Sequence, residues 1–288
     1  MTKRNSFFRW VAKRGWRHLV AIVMSVIAVF PLLYVLSASL AVSGTLTASN
    51  QLFASFTLDN YVDLLSDPAR PYLKWWFNTL IISASAATIA LLFGALAAYA
   101  FSRLRFSGRR FGLGALVLAQ MFPQFLGVVA IFLIVRTLGE AIPMLGLNTH
   151  TGLIVVYLGG ALGVNTYLMY GYFNTIPREI DEAAKIDGVS HVRTFFTIIL
   201  PLAAPVLVVV WMITYIAVAS DFVIASTILS DPNMQTATVG LFTMINLFRS
   251  DNWGAFSAGA LLSALPVVLM FLFGQKYIIG GLTTGSVK

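Results

Sequence analysis

Residues 180–205 read IDEAAKIDGVSHVRTFFTIILPLAAP. The whole chain holds eleven acidic residues, and Glu179, Asp181, Glu182 and Asp187 all fall between positions 179 and 187. Ile176, Ile180, Ala183 and Ala184 recur at spacings of three and four, which lines up one apolar stripe on a helix. Pro177 suits the first turn, where its missing N–H costs nothing, and Gly188 suits a left-handed stop. Ser190 is placed to cap a second helix whose apolar face is Val192, Phe195, Phe196 and Ile199. The stretch therefore predicts helix, glycine turn, helix. Three basic against four acidic residues would repel phosphates, which excludes a DNA-reading helix pair. A hairpin lying along the lipid surface and a knob that inserts into a cytoplasmic protein both remain.

The rest of the chain is apolar. Of 288 residues, 58% are hydrophobic and 10% charged, against about 25% charged in soluble proteins, so an integral membrane protein is predicted. The absence of cysteine excludes disulfides, thiolate nucleophiles and thiolate metal sites. Six runs almost free of charge, 19–41, 78–101, 111–135, 151–174, 201–220 and 253–275, each reach the roughly 20 residues needed to cross about 30 Å of hydrocarbon as a helix. An all-α, polytopic fold with six spans follows. The first run follows a basic stretch and precedes SASLAVSG, as a cleaved signal would. It is longer than the roughly 7–15 residues of a signal's apolar region and reads as a retained first helix.

Lysine and arginine set the orientation. Fifteen lie in the N-terminal segment, the SRLRFSGRR loop, the 175–200 loop and the tail, against four (Arg70, Lys74, Arg136, Arg249) in the opposite loops. Both termini are thus expected in the cytoplasm, and the net charge of +8 becomes a topology signal with no need of nucleic acid. The expected organisation is a basic cytoplasmic N-terminus over 1–18, a transmembrane domain over 19–280 and a cytoplasmic tail over 281–288. Its long cytoplasmic loop is 175–200, and its outer loops are 42–77, 136–150 and 221–252. In the first outer loop Leu58, Tyr61, Leu64 and Leu65 fall on one face of a short interfacial helix, with Tyr72, Trp75 and Trp76 suited to the headgroup layer. Pro31, Pro123 and Pro266 lie inside spans and should kink them. Small-residue runs such as SASAATIALLFGALAAYA allow close helix packing.

Chemistry is scarce. No G-x-x-x-x-G-K-[ST] loop is present, and His18, His150 and His191 are scattered without metal-ligand spacing. No enzyme activity, metal or cofactor in this chain is expected. Ion-coupled pumps carry titratable groups in their spans, and here Asp221 at the end of the fifth is the nearest. Uphill transport would have to draw its energy from another chain. A self-sufficient secondary transporter, disfavoured also by the lack of an internal repeat, and a non-transporting scaffold are the rival classes.

Glu182, Ala183, Ala184, Gly188, Ile198, Leu200 and Pro201 match the EAA signature of ABC importer permeases, E-A-A, three residues, G, nine residues, I-x-L-P. The resemblance continues through FTLDNYVDLL, WWFNTL, YAFSRLRFSGRR, LPLAAPVLVVVWMITYIAVASDF, WGAFSAGALLSALPVVLMFLF and GGLTTGSVK, and is strongest to the MalG-type permeases of maltose and maltodextrin importers. It implies a type I importer permease fold in a bacterial cytoplasmic membrane. It also implies that Glu182, Ala183, Ala184, Asp187, Gly188, Leu200 and Pro201 couple to an ATPase, with ATP and Mg bound by that partner. Further implied partners are a second permease in a heterodimer, two copies of the ATPase, and an extracytoplasmic sugar-binding protein met by the loop holding Pro232, Asn233 and Asn246. The tail would lie between the ATPase subunits, unless it is a frayed end. Trp211 and Tyr215, by side-chain type, and Asp221 are translocation-path candidates, though Asp221 is more readily read as a surface or interfacial residue or an outer-gate contact. The implied cargo is maltose, maltodextrin or a related oligosaccharide; trehalose, galactosides and glycerol phosphate are cargoes of related permeases.

Overall fold

The computed structural model describes residues 15–42, 51–245 and 253–284, and among them the only regular structure is helical. In chain order the main helices are α1 Trp16–Ser39, α2 Asp59–Ser66, α3 Tyr72–Arg103, α4 Arg109–Gln120, α5 Val128–Ala141, α6 His150–Phe173, α7 Glu179–Ile186, α8 His191–Thr194, α9 Ala204–Ser220, α10 Val223–Ile228, α11 Ala237–Ile245 and α12 Trp253–Thr284. Helices α1, α3, α6 and the Trp253–Tyr277 part of α12 are each long and apolar enough to cross a membrane. The 24 residues of α1 alone reach about 36 Å. Two bent pairs, Arg109–Gln120 with Phe125–Ala141 and His191–Leu202 with Ala204–Ser220, bring the number of spans to six when each pair is one span.

The chain divides into two compact units. In the first, Met1–Pro68 with Leu241–Leu262, the short helix expected from Leu58, Tyr61, Leu64 and Leu65 forms as α2. Asn60 on α2 donates to the carbonyls of Ser39 and Ala41 at 3.0 and 2.9 Å, closing the open end of α1. A Cβ at Gly254 would strike the Asn60 amide, so this glycine is needed for close approach.

In the second unit, Ala69–Gly240 with Ser263–Lys288, α3 is the central helix. Ala86, Ala90, Gly94 and Ala98 recur every four residues along it and form a stripe without bulk. Against that stripe α6 comes close enough that a Cβ on Gly94 would lie 2.8 Å from Met169 Cε and 3.1 Å from Asn165 Cβ. Lipid gives helices no hydrophobic drive to associate, so such close contact supplies the attraction. Two buried clusters result. One gathers Ile82, Leu153, Tyr157, Val218, Ile228 and Val239. The other gathers Ala98, Tyr99, Met169, Phe173, Phe195 and Ile199 at the end that carries the 175–200 loop.

The structure departs from the sequence reading where proline sits. The run 111–135 is two helices bent by 80°, because Pro123 is extended (ψ 110°) and a 3-10 turn, Gln124–Gly127, follows before α5 begins. Pro123 thus breaks a helix, while Pro31 and Pro266 lie inside theirs. Helix α5 runs on to Ala141, so the loop expected over 136–150 starts only after it. The 81° bend before α9 falls where Pro205, lacking an N–H, cannot bond to the carbonyl of Pro201. Within the loop expected over 221–252, the described residues 221–245 hold two helices, α10 and α11. Tyr72 and Trp75 are not headgroup anchors: each is 2% exposed, locked by hydrogen bonds to Ser263 and Pro232.

Candidate functional site

Helix α7 carries Glu179, Asp181 and Glu182 in its first turn, where carboxylates complement the positive helix end, and Lys185 in its last. It stops as predicted. Gly188 has φ 74°, its N–H bonds to the Lys185 carbonyl at 3.1 Å, and the Val189 N–H bonds to the Ala184 carbonyl at 2.9 Å, a Schellman closure. Ser190 then caps α8 by accepting from the Arg193 N–H at 3.4 Å.

One side of α7 faces inward and the other faces out. Ile176 and Ala184 are buried and Ile180 half-buried, with Ile176 and Ile180 packing in the Tyr99 and Phe195 cluster. Glu182, Ala183, Asp187 and Gly188 are exposed, and Ile186 is 86% exposed. The acidic helix therefore offers a carboxylate, a methyl and an uncovered isoleucine beside a glycine turn. Ala183 sits outside the stripe expected of it, since Ile176, Ile180 and Ala184 at fours define the inner face. On the second helix Phe195 and Ile199 are buried while Val192 and Phe196 are exposed. The expected single face splits because Phe195–Ile199 is π-helical, and the wider turn rotates the residues. Leu200 is half-buried against the same cluster and Pro201 exposed, both at the bend rather than on α7.

The last turn of α3 holds α7 from beneath. Arg103 Nε lies 2.9 Å from Asp181 Oδ2, with the two side chains 5% and 15% exposed. Arg103 Nη2 also donates to the Ile176 carbonyl at 2.8 Å, and Tyr99 Oη donates to Asp181 Oδ1 at 3.3 Å. Ser102 Oγ donates to Asn174 Oδ1 at 2.9 Å.

At the opposite end of α3, Pro232 and Asn233 are fastened rather than free. Trp75 Nε1 donates to the Pro232 carbonyl at 2.7 Å, Asn78 Nδ2 to the carbonyls of Asn233 and Gln235 at 2.9 Å, and Lys74 Nζ to Asn233 Oδ1 at 2.9 Å. Asn148, at φ 57°, accepts from the backbone N–H groups of Ser230 and Asp231. Asn246 lies outside the described residues. So does the tail beyond Thr284, while 281–284 continue α12.

The translocation-path candidates separate. Trp211 and Tyr215 stack at 5.4 Å, with Tyr215 buried and the Trp211 indole donating to Thr88 Oγ1 at 3.0 Å. Asp221 lies elsewhere. Its Oδ2 accepts from Tyr157 Oη at 2.8 Å and from the Ala225 N–H, in the first turn of α10, at 2.9 Å. Asp221 lines a cavity of about 720 Å³ with Gln120, Tyr157, Asn165 and Thr214, and neither Trp211 nor Tyr215 borders it. Among the described residues no three His, Asp or Glu side chains gather to hold a metal ion.

The sequence alone gives no functional signal for Arg103, Tyr99 or Asn78, and it places Trp75 at the headgroups rather than on the Pro232 loop. The one signal for Ile186 is that it falls off the 176, 180, 184 stripe. Arg103 reads from the sequence only as a topology charge.

Comparison with known proteins adds an independent line. The family model described as "Binding-protein-dependent transport system inner membrane component" matches residues 90–278. The galactooligosaccharides transport system permease protein GanQ of Bacillus subtilis (strain 168) is 40% identical over 272 residues, 94% of each chain. The maltose/maltodextrin transport system permease protein MalG of Escherichia coli (strain K12) is 35% identical over 281 residues, again 94% of each. Among solved structures, a bacterial ABC transporter involved in the import of the acidic polysaccharide alginate superposes with a TM-score of 0.76 at 22% identity, covering 96% of this chain and 98% of that one.

Proposed function

The chain belongs to the family of binding-protein-dependent transport system inner membrane components, and from that premise we propose that it is one transmembrane subunit of an ATP-driven oligosaccharide importer. The observation that carries the reading is α7, whose inner face is packed and ion-paired to α3 while Glu182, Ala183, Ile186 and Asp187 point outward beside the Gly188 turn. A short helix held so firmly, with an acidic and apolar tip left uncovered, fits insertion into a cleft of a partner. Glu182 offers a charge-assisted bond to a basic group there, and Ala183 permits close approach.

In the proposed cycle both termini and the α7 loop face the cytoplasm. A loaded sugar-binding protein docks on the opposite face, near the Pro232 and Asn233 segment. Two ATPase subunits, which bind the nucleotide and its Mg, close beneath α7 of this chain and the matching helix of a second permease. Their closure turns the bundle outward, and hydrolysis resets it. Maltodextrins are the proposed cargo. The higher identity to the galactooligosaccharide permease favours a galactooligosaccharide as a second reading of the cargo, with the same mechanism.

Gentle extraction of the N-terminally tagged chain from its native membrane, followed by mass spectrometry of stoichiometric partners, tests this. A second permease and an ATPase are expected. Recovery of the chain alone, in a detergent that keeps such complexes together, would contradict the reading.

A further inference from the structure

Docking needs only the outer face of α7, yet the chain also buries a charge pair beneath it. Taking Arg103 and Asp181 out of water is costly, and an apolar pair of similar size would hold two elements together at least as well. What an ion pair adds is direction. The guanidinium sits between Asp181 and the Ile176 carbonyl, Tyr99 holds the second carboxylate oxygen, and Arg178 Nη2 reaches back to the Ser102 carbonyl at 3.4 Å. One turn of α3 thus grips the segment from Asn174 to Asp181 at several points. Helix α3 then runs 32 residues without a break to the turn where Trp75 and Asn78 hold the loop at Pro232, Asn233 and Gln235.

We propose that Arg103 and Asp181 are positioning residues that latch α7 to α3, so that the two move as one body and displacement of α7 is delivered along α3 to the opposite end of the bundle. The inference rests on the reading that α7 docks a partner. Coupling between distant sites requires an element that both ends bias, and an unbroken helix clamped at both tips is such an element.

The chain has no cysteine, so nitroxide labels can be placed without removing native residues. Labels at Leu92 on α3 and Glu179 on α7, both exposed, report the distance between the two helices in the assembled complex with and without a non-hydrolysable ATP analogue. With Arg103 and Asp181 intact, one narrow distance is expected that does not change with nucleotide. Asp181→Asn, nearly isosteric, should about double the width of the distribution while the ATPase still copurifies, and Asp181→Glu should restore most of the narrowing. An unchanged width in Asp181→Asn would overturn the latch. If that variant fails to reach the membrane, Arg103→Lys is measured in its place under the same criterion. Copurification of the ATPase with Glu182→Lys separates the two claims. Loss of the ATPase there, with an unchanged Asp181→Asn width, would overturn the latch and leave docking standing. Retention of the ATPase would overturn docking whatever the widths show.

Discussion

At Gly188 a single backbone angle decides whether the exposed tip of α7 exists. Its φ of 74° is reached without contact, since a Cβ there would find no atom within 4 Å. Only backbone strain therefore opposes a side chain, about 1–2 kcal/mol for a residue forced into the left-handed region. Gly188→Ala should retain most transport. Gly188→Pro should abolish it, because proline cannot leave φ near −65° and lacks the N–H that bonds to Lys185. Immunoblots of membranes beside uptake assays check this, and an unchanged membrane level with lost uptake is expected. These residues were legible in the sequence because their interactions are local: a stop glycine, a capping serine and carboxylates at a helix start. The latch beneath them was not. Tyr99 and Asp181 stand 82 positions apart, and no local pattern says that the end of one span meets the first turn of a later loop helix.

Among the helices, the contact of α3 with α6 depends on what is missing from Gly94. Gly94→Leu should destabilise the bundle by about 1–3 kcal/mol, the usual cost of overpacking, and Gly94→Ala by less, since Met169 Cε is the end of a flexible side chain. Thermal melts followed by size-exclusion fluorescence would order the two variants. At the other end, Trp75→Phe removes the donor to the Pro232 carbonyl, at a cost of about 1 kcal/mol, and should open residues 229–236 to protease before the spans are cut. The spans themselves were readable from run length and the stripe of small residues. Their breaks were harder, because proline sits inside α1 and α12 without ending them yet ends a helix at Pro123. Pro123 is followed by a 3-10 turn that ends at Gly127, whereas Pro31 and Pro266 are flanked by α-helix on both sides. The loop at 221–252 hid two helices for a different reason: Ala225, Ile228 and Val239 look like membrane residues but pack into the core of the second unit.

For the molecule as a whole, the distribution of fifteen basic residues against four makes a topological prediction independent of any relative. Fluorescent-protein fusions at either terminus should both be bright, and periplasmic alkaline phosphatase activity should appear only for fusions in the opposite loops. Family membership accounts for how a chain with almost no charge in its spans takes part in uphill transport: in the proposed assembly the energy enters through α7 from another subunit. The cargo was the least legible property, since the aromatic residues chosen by type, Trp211 and Tyr215, pack on each other while the cavity is lined elsewhere. The central claim is met most directly by reconstituting the chain with its copurifying permease and ATPase in proteoliposomes, with ATP enclosed, and adding binding protein and labelled maltotriose or galactobiose outside. The account predicts uptake of one of these sugars that requires both enclosed ATP and binding protein, survives a protonophore and is lost with Glu182→Lys. Uptake by this chain alone, without ATPase and collapsed by the protonophore, would contradict it.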